Sequence, residues 1–373
     1  MPNNLMDLET VLVLDRDRDA ATRAANALAS AGRLVLTGCD AVLGNLIMTR
    51  IPVASMVTDV GISGPFSFEG LDVVADARRA APQCRIVVTG DEVSPKLSAE
   101  ALRRGATEVL PRPFDDAQLR LSVGQCSGLG DGGVLHIPTL DELIDSTRLS
   151  PAFQAIVDLA HPDKAGHGFE SLARYREAAL PFYDPCFMFE YARLRGRTDE
   201  LELACLRRTM RQAHALPENS KIFVNIHPHV LSDGDKLSRT LVKEANDGGV
   251  PLSNIVLEIT EQEKLGSGES VMSTIEELRA LGVTFALDDV GISYSHLERI
   301  DRIQPRYLKI SQEFGTDFEK NSSRQKIIRN ILSLAHDFDC EVVLEGIETA
   351  ATSQAATDIG ARYAQGYYFA RPE

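Results

Sequence analysis

Phe285-Ala286-Leu287-Asp288-Asp289 decides how this chain reads: a short apolar run that ends in two acids. The pattern recurs at Phe169-Glu170-Ser171-Leu172, Phe223-Val224-Asn225, Val256-Leu257-Glu258, Tyr307-Leu308-Lys309 and Val343-Leu344-Glu345. Each strand-like run delivers an acid, an amide or a lysine. Such groups are costly to bury unless something offsets their desolvation. Acids gathered at one mouth of a barrel repel each other unless they are protonated or neutralised by cations. Oxygen-rich clusters of this kind are what hard divalent metals bind. Ordinary surface acids following strands would explain one or two of these positions, but not six consecutive elements.

Working outward, the second half of the chain holds strand candidates at 153–159, 167–173, 222–226, 255–260, 284–288, 307–310, 341–345 and 365–369. Helical stretches separate most of them, including Glu200–Ala215, Leu237–Ala245, Ser270–Ala280 and Arg324–Phe338. Eight strands over roughly 235 residues match a TIM-like (β/α)8 barrel, whose chemistry lies at the C-terminal strand ends, where the acids fall here. Residues 126–133 read Cys-Ser-Gly-Leu-Gly-Asp-Gly-Gly, a glycine-rich stretch taken as a linker. Thr139-Leu140-Asp141-Glu142 then has the form of a helix capping box. Ahead of the linker, strand candidates Thr10–Leu14, Arg33–Thr37, Ala54–Thr58, Arg85–Thr89 and Glu108–Leu110 alternate with helix candidates Ala20–Ala31, Leu71–Ala81, Ser98–Arg104 and Asp116–Val123. That alternation predicts a doubly wound, flavodoxin-like parallel sheet. The expected fold class is therefore α/β throughout. A domain over 1–125, a linker over 126–136 and a barrel over 137–373 make up the chain.

Composition narrows the function. A net charge of −15 disfavours nucleic acid polymers and anionic lipid surfaces. It equally disfavours a phosphate-bearing substrate unless bound cations reverse the sign locally. No apolar run approaches the ~20 residues that cross a bilayer. The start, Met1-Pro2-Asn3-Asn4-Leu5, has no basic flank leading into an apolar stretch. The six cysteines are scattered with no Cys-x-x-Cys pair, as expected of free thiols in a reducing cytoplasm.

At this point the second half resembles the EAL-type cyclic di-GMP phosphodiesterases. Gly168-Phe169-Glu170-Ser171-Leu172-Ala173-Arg174 resembles the signature that names the family, with Ser171 in place of its alanine. The likeness includes Phe153-Gln154-Ala155-Ile156-Val157-Asp158-Leu159, Phe223-Val224-Asn225 and Leu257-Glu258-Ile259-Thr260-Glu261. It continues through Asp288-Asp289-Val290-Gly291, Leu308-Lys309-Ile310, Glu345-Gly346-Ile347-Glu348-Thr349 and Gln365-Gly366-Tyr367. The resemblance implies two Mg²⁺ or Mn²⁺ ions and a role for each matched position. Glu170, Asn225, Glu258 and Asp288 would supply one ion's oxygens. Asp288 would bridge to a second ion held with Asp289. Glu345 would hold water or metal on the far side, and Lys309 would sit beside the attacking water. Gln365 and Gln154 would hold water or substrate behind the ligands. Arg174 would contact a substrate phosphate, while Glu261 and Glu348 would brace the surrounding loops. The resemblance also implies a homodimer.

The chemistry asks for these residue types on its own account. Phosphodiester hydrolysis needs hydroxide near neutral pH and cover for charge on the non-bridging oxygens, and a metal pair ~3.5–4 Å apart supplies both. Adjacent acids on a regular strand point to opposite faces, so Asp288 and Asp289 can serve one site only if the chain turns there. Lys309, crowded by cations, would have a lowered pKa and act as base, or else would only stabilise the hydroxide; Glu345 is the other candidate base. Each residue taken singly has a duller reading. Asp288-Asp289 would cap a helix, Lys309 would be a snorkelling surface lysine, and Glu261 a first-turn acid. His227 and His229 flank Pro228 two residues apart with no cysteine near, and read as loop histidines outside the metal set.

Two departures stand out. The family's Asp-Asp-Phe-Gly-x-Gly-Tyr-Ser reads Asp288-Asp289-Val290-Gly291-Ile292-Ser293-Tyr294-Ser295 here, and Ser311 replaces an aspartate. In the first domain, residues 10–123 resemble a response-regulator receiver, with Asp59 at the phosphoacceptor position, Thr89 ending the fourth strand and Arg112-Pro113 in place of Lys-Pro. Asp15 is followed by Arg16 where relatives carry a second acid for Mg²⁺, and arginine is a poor stand-in for lysine. A degenerate receiver used for contact or sensing is expected, with a histidine kinase or another protein as its partner. The expected activity is metal-dependent hydrolysis of cyclic di-GMP to 5′-pGpG. The alternative is a barrel that senses cyclic di-GMP without cutting it.

Overall fold

The computed structural model describes residues 8–30, 32–62, 70–91, 93–126, 128, 132–145, 147–161, 166–176, 184–260, 269–291 and 296–373. They divide into two compact units, Met1–Ser146 with Glu177–Thr198, and Thr147–Arg176 with Asp199–Glu373.

The first unit is built on β1 (Glu9–Leu14), β2 (Arg33–Gly38), β3 (Ser55–Asp59), β4 (Arg85–Gly90), β5 (Glu108–Pro111) and β6 (Gly133–His136), in the order β5-β4-β3-β1-β2-β6. All neighbours pair in parallel. The connections run through α1 (Arg18–Leu28), α2 (Ala41–Arg50), α3 (Gly70–Ala80), α4 (Pro95–Arg103) and α5 (Asp116–Val123). Val11, Val13, Val35, Val57 and Val87 pack against Ala21, Ala25 and Leu28 of α1 and Leu119 and Val123 of α5. This is the flavodoxin-like sheet that the alternation predicts, with two differences. The α2 helix is absent from the sequence expectation. Its Leu43, Gly44, Leu46, Ile47 and Met48 are all buried, so no one-sided 3.6-residue period marks it. The segment read as a linker contains β6, which extends the sheet beside β2 with Leu34 opposite Gly133 and Thr37 opposite His136. The capping box holds: Glu142 N donates to Thr139 Oγ1 at 3.4 Å and Thr139 N donates to Glu142 Oε2 at 2.8 Å, opening α6 (Leu140–Asp145). The unit also takes in α7 (Pro185–Leu194), which the sequence reading passed over.

In the second unit, β7 (Leu149–Asp158), β8 (Gly168–Tyr175), β9 (Lys221–Ile226), β10 (Ile255–Thr260), β11 (Thr284–Val290), β12 (Tyr307–Ile310), β13 (Glu341–Leu344) and β14 (Tyr363–Gln365) close into a barrel. β7 runs antiparallel to both neighbours, β14 and β8. The physical reason is the short connection between β7 and β8, because a parallel return needs a long crossover. The last strand lies at Tyr363–Gln365 instead of 365–369. Long α8 (Thr198–Gln212) connects toward β9.

Ile156, Phe223, Val256, Ala286, Tyr307, Val343 and Tyr363 form one buried cluster. They come from seven different strands and mark a shared apolar layer. Side chains alternate along a strand, so the position two residues on faces the same way. From Phe223, Val256, Ala286, Tyr307, Val343 and Tyr363, two residues on lie Asn225, Glu258, Asp288, Lys309, Glu345 and Gln365. β7 runs the other way, and its Gln154 correspondingly precedes Ile156. The polar residues therefore stand as a second layer above the apolar one, at the C-terminal ends of the parallel strands.

Candidate active site

Lys309 is the centre of this polar layer and is wholly buried. Its Nζ lies 2.8 Å from Glu345 Oε1, 3.1 Å from Glu258 Oε2, 3.3 Å from Glu170 Oε2 and 3.5 Å from Asp288 Oδ1. Glu170 is fixed from two sides. Asn225 Nδ2 donates to its Oε1 at 2.9 Å, and Gln365 Nε2 donates to its Oε2 at 2.6 Å. Gln365 Nε2 also donates to Gln154 Oε1 at 3.0 Å, and Gln154 Nε2 donates to Ala370 O at 3.2 Å. The amides thus hold the glutamate instead of competing for its place.

Asp289 has φ 59°, and the β11–β12 register shifts between Leu287 and Val290. This turn breaks the strand alternation that would have sent neighbouring acids to opposite faces. As a result, one carboxylate oxygen from each of Asp288, Asp289 and Glu345 lies within 4.8 Å of the others. Gly291 follows with φ 117°, and a Cβ there would stand 2.7 Å from the Phe314 ring, so glycine is required on both counts.

Four acids surround one ammonium, so three negative charges lack a counter-charge before Asp289 is counted. Burial pushes the Glu258 carboxyl well above its usual range, and Glu170, Asp288 and Glu345 add repulsion that Lys309 does not cancel. Burial and the charges of Asp288 and Glu170 push Glu345 up to about 8. Asp288 is raised by burial and by Glu170 and Asp289. For Glu170 burial works upward too, but Lys309 and the Gln365 and Asn225 hydrogen bonds outweigh it and hold it low. Lys309 is raised well above its ordinary value, because the four acids overcome its burial. That reverses the lowered pKa that crowding by cations would give, since here its neighbours are carboxylates.

The donor set fits divalent ions. It is all oxygen, it carries excess negative charge, and Glu258 Oε1, Asp288 Oδ1 and Gln365 Oε1 are buried without a hydrogen bond among the described residues. The cleft above is lined by Leu172, Gln312, Gly346, Glu348 and Tyr367 alongside Gln154, Glu170, Asp288, Glu345 and Gln365. Sequence reasoning missed Leu172, Tyr367 and Gln312 as site residues. The first two sit inside quoted motifs, and Gln312 had no signal. Arg174 donates to Ala173 O at 2.9 Å. Glu261 and Ile292–Ser295 lie outside the described residues.

The first unit has its own buried acids, Asp15 and Asp59, at the ends of β1 and β3. Arg112 pairs with Asp15, lies 3.3 Å from Asp59 Oδ1 and donates to Thr89 Oγ1 at 3.2 Å. Arg16 Nε is 3.9 Å from Asp59 Oδ2 and its side chain is half exposed. The sequence pointed to Arg16 as the intruding cation, but Arg112 is the closer one.

An acid-rimmed β/α barrel with a buried lysine is the class that fold and site define. Within it, the EAL domain family matches residues 138–372, 235 of 373 positions (372 − 138 + 1), and the chain belongs to that family. The cyclic di-GMP phosphodiesterase NbdA of Pseudomonas aeruginosa is 27% identical over 238 residues, 62% of this chain and 30% of NbdA. The probable cyclic di-GMP phosphodiesterase PdeA of Escherichia coli is 36% identical over 119 residues, 32% of this chain and 16% of PdeA. BlrP1 of Klebsiella pneumoniae, solved as a manganese and cyclic di-GMP complex, is 26% identical with a TM-score of 0.55, covering 61% of this chain and 57% of BlrP1. The chain spans less than half the length of the curated relatives it matches. No helix among the described residues is long and apolar enough to cross a membrane.

Proposed function

We propose that this chain hydrolyses cyclic di-GMP to 5′-pGpG with two bound Mg²⁺ or Mn²⁺ ions. The observation that carries this reading is the ring of Glu170, Glu258, Asp288 and Glu345 around Lys309, with Asp289 turned in beside it. Glu170, Asn225, Glu258, Asp288, Asp289 and Glu345 would hold the ions. When bound, such a pair supplies a hydroxide near neutral pH and neutralises charge on the phosphodiester oxygens. The remaining residues position and donate. Gln365, propped by Gln154, orients Glu170. Lys309 Nζ, held protonated by its acids, donates toward charge that develops on the reacting oxygens. The cleft walls Leu172 and Tyr367 offer the apolar and aromatic surface that a purine base needs. The chain works as a homodimer, and the N-terminal unit regulates the barrel through protein contact, its acid pocket being filled by Arg112.

Purified protein incubated with cyclic di-GMP and Mn²⁺, followed by chromatography, tests this. EDTA abolishes pGpG formation, and Glu170→Ala lowers kcat/KM at least about a hundredfold, on the order of 3 kcal/mol of barrier. Undiminished turnover in Glu170→Ala refutes the assignment. Tight calorimetric binding of cyclic di-GMP without any product selects the non-cutting sensor, the reading that the altered stretch from Val290 to Ser293 suggests.

A further inference from the structure

Beyond Arg176, the described residues 184–198 belong to the N-terminal unit, and those from Asp199 belong to the barrel unit. Within the N-terminal unit, α7 is anchored firmly. Phe187, Met188, Tyr191 and Ala192 are buried. Tyr191 Oη donates to Asp40 Oδ2 at 2.6 Å, while Asp40 Oδ1 accepts from Val42 N at 2.8 Å and so caps α2. Arg195 Nε stands 3.6 Å from the same Oδ2. Beyond it, Arg197 Nη1 donates to Asp141 Oδ1 at 2.7 Å. The next residue, Thr198, is already the first of α8. The anchor and the helix are therefore continuous in sequence, with Gly196 and Arg197 between the last α7 contact and the first turn of α8.

Among the polar contacts that α8 makes within the barrel unit, two reach the segments that carry Glu170 and Asn225. Thr209 Oγ1 and Ser171 Oγ are 2.5 Å apart, and both residues are buried. Ser171 adjoins Glu170, and the alanine that the family signature has there could make no such bond. Seven residues earlier, two turns up the same helix face, buried Glu202 accepts from His227 N at 3.2 Å and pairs with His227 Nδ1. His227 lies two residues past Asn225. One helix thus holds the strand that delivers Glu170 and the loop that follows Asn225.

We propose that α8 is a lever through which the N-terminal unit, gripping α7 at Asp40–Tyr191 and Arg197–Asp141, sets the positions of Glu170 and Asn225. The inference rests on the reading of those two residues as metal ligands, and it makes Ser171 and Thr209 positioning residues. A shift of α8 would act on both ligands together, because a helix two turns long between its contacts moves as a unit.

Hydrogen–deuterium exchange on the full chain, with turnover measured on the same samples, tests this. Tyr191→Phe removes one hydroxyl and should raise exchange in the peptide spanning Gly168–Tyr175 about fivefold, the equilibrium effect of one lost hydrogen bond. In a Ser171→Ala background the same substitution should change exchange there less than about twofold, because the link is already cut. Arg197→Gln at the partly exposed second anchor should act in the same direction, and stands in if Tyr191→Phe does not fold. Exchange that rises in α7 alone, or equally in both backgrounds, overturns the lever. An exchange pattern as expected in a protein that never forms pGpG upholds the lever and counts against the phosphodiesterase reading. Normal turnover with exchange in Gly168–Tyr175 unaffected by either anchor variant overturns the lever alone.

Discussion

At the scale of single residues, Lys309 carries the most consequence. Among the described residues it is the one buried cation set among Glu170, Glu258, Asp288 and Glu345. Removing one partner of a buried ion pair is far more destabilising than the pair is stabilising, typically about 3–5 kcal/mol, because the remaining charge is left uncompensated. Lys309→Met should therefore lower Tm sharply in EDTA at pH 8. Mn²⁺ should restore more of that stability in the variant than it adds to the wild type, since the ions then supply the missing positive charge. Calorimetric scans with and without Mn²⁺ check this, and an unchanged Tm in EDTA would mean that the acids are neutralised by their own protons. Asp289 has a different constraint. Its φ of 59° puts an L-residue in the left-handed region, where alanine is penalised by roughly 1 kcal/mol against glycine. Asp289→Ala should accordingly be less stable than Asp289→Gly in urea titrations, and on the proposed reading both should bind Mn²⁺ more weakly.

At the scale of elements, seven of the eight barrel strands each contribute an apolar residue below and a polar one above, and the two layers are stabilised differently. The lower layer includes Tyr307 and Tyr363, and His167, just before β8, joins them. Its ring stacks on Tyr363 at 4.0 Å between centroids, and Nε2 is 3.0 Å from Tyr307 Oη. Burial, with Lys221 nearby, pushes its pKa from 6.5 down to about 4. The unfolded chain therefore takes up this proton first as pH falls. The stability that neutral His167 contributes is complete above about 6.5 and is lost as pH drops toward about 4. His167→Phe keeps the stack and removes the titration, so its Tm should vary less than the wild type's between those two pH values. Equal slopes in the two proteins would contradict the assignment. The turn at Asp289 is the element-level counterpart in the upper layer. Without the register shift in β11, the second acid would face away from the site.

At the scale of the whole molecule, two acidic pockets have been treated oppositely. In the barrel unit the acids outnumber their cation, which leaves room for metal. In the N-terminal unit Asp15 and Asp59 are met by Arg112 and Arg16, whose positive charges offset the acids that would attract Mg²⁺. Beryllium fluoride with Mg²⁺ should consequently leave the Tm of the full chain and its turnover unchanged, and a stable Asp59 adduct that altered either would overturn the contact-only view. Much of this was legible in the chain itself. The apolar runs leading to Glu170, Asn225, Glu258, Asp288, Lys309 and Glu345 located six strands, although Glu170 lies near the start of β8 and not at its end, because period-two alternation and burial are local properties. Other features were not legible. The α2 helix hides because most of its surface is apolar and buried, and β6 hides in a glycine-rich stretch because its strand identity comes from the β2 edge it joins. The antiparallel seating of β7, the residue that meets Asp59, and the bond from Ser171 to Thr209 are likewise pairings between distant positions. By itself the sequence determined which residues are acids, amides and lysine and on which strand face each lies, save Asp289, whose side is set by the β11 turn. Only the tertiary structure decided that four carboxylates converge on one ammonium, because convergence depends on closing the barrel and no single segment contains that information.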